Sequence, residues 1–153
     1  MLENSKRIPP DVLLALQSEY LSHGYKQDHV NLSHLVFSNG GCESVFKMQD
    51  AYAPSDGHFH LSMTTAINCI SQTGIIYAGL LNGLKRKENE VYVLDFKIRF
   101  HRAINDDEFA IQIAVEKKRK STSGIIYYMQ GNVQDRAFTY DVKFLFPLTE
   151  TTV

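Results

Sequence analysis

The sequence predicts an α+β protein in which a curved antiparallel sheet wraps one long central helix, with a short helix near the N-terminus. Three observations carry this. Residues 52–82 hold a polar loop that feeds the long, nearly uncharged helical pattern of the chain; two apolar runs hinged on Asn39-Gly40-Gly41 precede it; and four runs of strand-like alternation follow it. One apolar helix flanked by strands on both sides buries itself most simply against the concave face of a single sheet.

The elements follow in order. Pro9-Pro10 closes a polar arm, and Asp11 is a plausible cap for DVLLALQSEYL, where Val12, Leu13, Leu16 and Tyr20 fall at helical spacing and Gly24 is the stop. HLVFSNGGCESVFKM then reads as a hairpin across the Asn-Gly-Gly turn. Pro54, Ser55, Asp56 and Gly57 make a loop, and Gly83 ends the central helix. Within that helix Met63, Ile67, Ile70 and Gly74 mark a core face, and Ala66, Ser71, Gly74, Ala78 and Gly79 are small enough for a sheet to approach closely. After the charged connector LKRKENE come VYVLDFKIRFH, FAIQIAVEKKR, SGIIYYMQGNVQ and AFTYDVKFLF, each alternating with period two.

Size and charge bound the function. At 153 residues the chain is expected to form a single domain over 1–153. Sixteen basic against seventeen acidic residues give no global pull toward nucleic acid. No run approaches a membrane span and the N-terminus lacks a leader pattern, so the expected location is the cytoplasm. Cys42 and Cys69 lack metal-ligand spacing and disulfide context.

Between Ser55 and Asn82 the one ionisable carboxylate is Asp56, and there is no Lys or Arg. The polar groups of such a buried stretch need a reason. His58-x-His60 with Asp56 offers too few ligands for a metal site, so none is expected. Cys69 reads as packing, and no Gly-x-Ser-x-Gly elbow marks Ser62, Thr64 or Thr65 as a nucleophile. The candidates that remain are Tyr52 and His58 before the helix and Asn68 and Gln72 on one face of it. The helix start near Ser62 to Thr64 offers backbone N–H groups to a developing oxyanion. Lys117-Lys118-Arg119-Lys120 is the densest charge run, and Lys85, Arg86 and Lys87 form a second. Either run is a solvated surface or a site for phosphates.

Gly57-His58-Phe59 ahead of the helix, and Asn68-Cys69-Ile70-Ser71-Gln72-Thr73-Gly74 on it, resemble the hotdog superfamily, whose members wrap about six antiparallel strands round a central helix and act mostly on acyl thioesters. In its β-hydroxyacyl-acyl carrier protein dehydratases a glutamate stands where this chain has Asn68, and the connector here is two residues shorter and lacks Pro-Gly. An amide cannot replace that acid/base carboxylate. The FcoT-like fatty acyl-CoA thioesterases are more similar: Ala51-Tyr52 ahead of Gly57-His58-Phe59, and an asparagine at Asn68, match their pattern, with His60 where they carry asparagine. The resemblance implies an acyl-CoA or acyl-carrier-protein thioester hydrolase with Tyr52 and Asn68 as catalytic polar groups, supported by His58 and Gln72. It implies no cofactor beyond the coenzyme A or phosphopantetheine of the substrate, whose phosphates Lys117, Lys118 and Arg119, or Lys85, Arg86 and Lys87, would bind if either run is more than solvated surface, and a homodimer or higher homo-oligomer with the site between protomers. A dehydratase or isomerase using His58 and a non-catalytic acyl-binding protein are the alternatives.

Overall fold

A computed structural model describes residues 9–16, 28–51 and 56–148. The elements are α1 (Pro10–Leu16), β1 (His29–Ser38), β2 (Gly41–Asp50), α2 (Met63–Leu81), β3 (Tyr92–Phe100), β4 (Glu108–Ser121), β5 (Gly124–Val133) and β6 (Phe138–Phe146). The six strands form one antiparallel sheet in the order β1-β2-β4-β5-β6-β3. This is the hotdog arrangement expected from the sequence. The remainder of the expected first helix, including Tyr20, lies outside the described residues.

The hairpin forms where the glycine pair directs it, Ser38 pairing with Gly41. One feature of the sheet departs from the sequence order. β3 does not lie beside β4; it crosses to the far edge and pairs with β6, while β4 inserts between β2 and β5. The crossing leaves β1 and β3 as open edges.

Alternation sets which residues face the helix. Along β6, Phe138, Tyr140, Val142, Phe144 and Phe146 are buried, and their neighbours Tyr127, Met129 and Val133 on β5 share that face. Side chains of this kind each contribute about 1.5–3 kcal/mol on burial. The polar pair within the core is satisfied: Ser44 Oγ lies 2.7 Å from Thr73 Oγ1, which donates to the Cys69 carbonyl at 2.8 Å.

The helix sits against this face by a stripe that keeps two of the four expected core positions, Ile70 and Gly74. Thr65, Ala66, Cys69, Ile70, Thr73, Gly74, Tyr77 and Ala78 are buried. Met63 is 53% exposed and Ile67 only half-buried, although Thr65 and Ala66 between them are buried. Of the small residues, Ala66, Gly74 and Ala78 do allow close approach, and a Cβ on Gly74 would enter the Phe144 ring. Ser71 and Gly79 instead face away from the sheet, along an open trough.

Both helix ends are locally encoded. Ser62 is the N-cap, its Oγ accepting from the Thr65 amide at 3.2 Å. At the other end Gly83 takes φ 70°, the Gly83 amide donates to Leu80 O and the Leu84 amide to Gly79 O, each at 3.0 Å. This paired closure requires the left-handed residue that glycine supplies. Asn82 Nδ2 reinforces it, donating to Ala78 O and to the Tyr127 hydroxyl, both at 2.8 Å.

Candidate active site

Asn68 and Gln72 are exposed on the side of α2 that faces away from the sheet, one helical turn apart. The structure thus brings these two expected residues together. With Asp28, Val30, Thr65, Ser71 and Ile75 they line a cavity of about 350 Å³. Asp28 was not foreseen. It precedes β1, and its carboxylate accepts a hydrogen bond from Thr65 Oγ1, with Ser62 Oγ 3.5 Å away. Ser62 Oγ also donates to Thr65 Oγ1 at 3.0 Å, so the N-cap, the threonine and the carboxylate form a short chain. The carboxylate missing from the helix therefore arrives from another segment, 37 residues away in sequence from Thr65. No local motif announces it.

The same face continues toward the end of α2. A second cavity, of about 450 Å³, is floored by Ile75, Ile76, Gly79, Leu80 and Leu84, with Phe146, Pro147 and Leu148 on the opposite side. Gln72 and Ile75 line both cavities. The two form one trough along the helix, polar at the Asp28–Asn68 end and apolar beyond Ile75. A ligand with a polar head and an apolar chain suits such a lining. The basic residues at its rim are Lys85, Arg86 and Lys87.

The other expected residues lie elsewhere. His58 is exposed in the loop before the helix, and it is its backbone amide, not its ring, that holds the loop, donating to Asp56 Oδ1 at 3.0 Å. Lys117, Lys118 and Arg119 are exposed within β4. Tyr52 lies outside the described residues. Ser62 and Met63 line a separate depression of about 360 Å³ with His60, Phe100, His101 and Arg102, whereas Thr65 of the same first turn lines the cavity of Asn68.

The cysteines are set against nucleophilic chemistry. Burial, then the charge of Asp28, pushes the Cys69 thiol up to about 12; burial, then Glu43, pushes Cys42 up to about 11. Among the described residues no cluster of three or more His, Cys, Asp or Glu is placed to hold a metal ion, and no helix is long and apolar enough to cross a membrane.

No family model and no curated protein matches the chain. Solved structures do. A thioesterase from Haemophilus influenzae is similar with a TM-score of 0.54 at 11% identity, over 81% of this chain and 82% of that one. A thioesterase family protein from Silicibacter pomeroyi is similar with a TM-score of 0.55 at 15% identity, over 78% and 85%. A dehydratase heterocomplex from Xenorhabdus doucetiae contains a chain with a TM-score of 0.58 at 14% identity, over 78% and 84%. At these identities the likeness is one of fold.

Proposed function

We propose that the protein hydrolyses acyl thioesters, of coenzyme A or of an acyl carrier protein, in the trough on the outer face of α2. The observation that carries this reading is the placement of a carboxylate, Asp28, beside the helix-borne amides Asn68 and Gln72 at the polar end of an apolar channel. The thioesterases among the similar structures agree with it. Asp28 takes a proton from water, the hydroxide attacks the thioester carbonyl carbon, and the carbonyl becomes an oxyanion. The amide N–H groups of Asn68 and Gln72 donate to that oxyanion. Collapse breaks the carbon–sulfur bond, and the proton held by Asp28 passes to the departing thiolate. The products are a carboxylic acid and a thiol.

Dehydration fits less well, because it would rest on His58, which stands in an exposed loop away from Asp28 and Asn68. Tyr52 remains a proposed contributor from the segment before that loop. The working unit in this reading is a homodimer. β3 is an open edge on which Tyr92, Val93, Leu94 and Phe100 are exposed, and a second copy pairing there would cover them.

The test is a panel of acyl-CoA and acyl-carrier thioesters scored for released thiol, hydrated product and tight binding. Release of thiol is expected, and Asn68→Ala should lower kcat by about 10²-fold, the usual loss for one preorganised donor. Wild-type kcat in a folded Asn68→Ala protein would remove Asn68 from the mechanism.

A further inference from the structure

The chain is nearly neutral, yet half of its Lys and Arg residues gather at one end of the sheet, while the other end mixes Asp and Glu with Lys47, Arg102 and Arg136. Asp106 and Asp107 lead into β4, which opens on Glu108 and carries Lys117 to Lys120 near its end, with roughly 30 Å between Glu108 and Lys117 at the usual strand rise. The Glu108 end lies at the start of α2: the Met48 amide donates to Asp107 O at 2.7 Å, and the Leu61 amide to Ile104 O at 2.8 Å. Asp50 and Asp28 lie at the same end.

The basic end gathers two runs that are thirty residues apart in sequence. Tyr127, whose hydroxyl meets Asn82 at the end of α2, pairs in register with Lys118. Ile125 pairs with Lys120 on one side and with Phe146 on the other, and Phe146 lines the trough with Lys85, Arg86 and Lys87. Lys118 and Lys120 thus stand on the helix side of the sheet. Lys117 pairs with Tyr128 on the outer side, and Lys143 reaches the same ring, the two ammonium groups lying 5.6 and 5.3 Å from its centroid. With Arg119 these make eight of the sixteen Lys and Arg residues of the chain, with Glu116, Glu88 and Glu90 as the acidic residues within the two runs. One ion pair, Lys87–Glu90 at 2.7 Å, is found among them in the described residues.

We propose that the substrate arrives on an acidic carrier protein that docks on this basic end and threads its pantetheine arm down the trough; this deepens the hydrolase reading and rests on it. A single nucleotide could engage the rim at Lys85 to Lys87, but it cannot reach cations on both faces of β4, whereas a protein surface laid across the end of the sheet meets both. The depth agrees. From Asn82 to Asn68 the helix advances roughly 21 Å, a distance an extended phosphopantetheine arm covers, so a thioester entering past Leu80 and Ile76 ends beside Gln72, Asn68 and Asp28. Opposite charge across the contact supplies steering and a salt-dependent on-rate.

The test titrates a purified, unacylated holo acyl carrier protein into the wild-type protein and into two double variants, Lys118→Glu with Lys120→Glu and Lys117→Glu with Lys143→Glu. Binding is expected to weaken at least tenfold in each variant and to fall with rising salt. The ratio of kcat/KM for acyl carrier protein over the acyl N-acetylcysteamine thioester should fall by a similar factor. Equal affinity for a nucleic acid duplex, or kcat/KM on acyl-CoA that matches the carrier substrate and ignores the substitutions, would overturn the proposal. Carrier binding that depends on these lysines without any thiol release would support the docking surface and sink the hydrolase reading, so the two fail separately.

Discussion

Asp28 and Thr65 are joined by a hydrogen bond from the threonine hydroxyl to the carboxylate, and this contact fastens the segment entering β1 to the first turn of the central helix. It places a carboxylate in the cavity lined by Asn68 and Gln72. The same carboxylate contributes to holding the neighbouring Cys69 thiol in its neutral form.

The thiols are expected to be silent in the native protein. With Cys69 raised to about 12 and Cys42 to about 11, almost no thiolate exists at neutral pH. Iodoacetamide at pH 8 should leave both unmodified in buffer and alkylate both in denaturant. The linkage has a sign: these thiols keep their protons longer when folded, so their contribution is full below the unfolded thiol pKa and is lost as pH rises through about 11 to 12. Urea midpoints that rise between pH 9 and 11 would contradict this.

Gly74 tests how tightly α2 is seated. Its added methyl would enter the Phe144 ring, which is fully buried and cannot swing into solvent. Gly74→Ala should therefore cost about 1–3 kcal/mol despite the better helix propensity of alanine. A urea midpoint at or above that of the wild type would show that the core gives way.

How far the sequence reveals this arrangement depends on range. The Asn39–Gly40 turn and the Gly83 stop are legible because each is chemistry within a few residues. The four later strands show in their alternation, since β4, β5 and β6 each bury one face and β3 half-buries Phe96 and Ile98 on one face. The crossing of β3 to the edge beside β6 is not legible, because a strand pattern does not name its neighbour. Helical spacing alone misplaces Met63, since an exposed apolar residue at a helix end reads like one in the core. Asn68 and Gln72 show as polar breaks on an apolar helix. Asp28 carries no such mark, because only the fold brings it to Thr65.

The open β3 edge should hold the dimer. Leu94 and Phe100 are 47% exposed on it, so Leu94→Lys with Phe100→Lys should convert a dimer into a monomer in light scattering while the far-ultraviolet circular dichroism stays the same. A dimer that survives both charges would move the interface to another surface.

The central claim is that Asp28 is the base that makes the trough hydrolytic. Asp28→Asn keeps an oxygen to accept from Thr65 and removes only the ability to take a proton. The most direct measurement is steady-state thiol release from an acyl thioester by the wild-type and Asp28→Asn proteins. A fall in kcat of about 10²- to 10⁴-fold with KM within about threefold is predicted. An unchanged kcat in the folded variant would contradict the account.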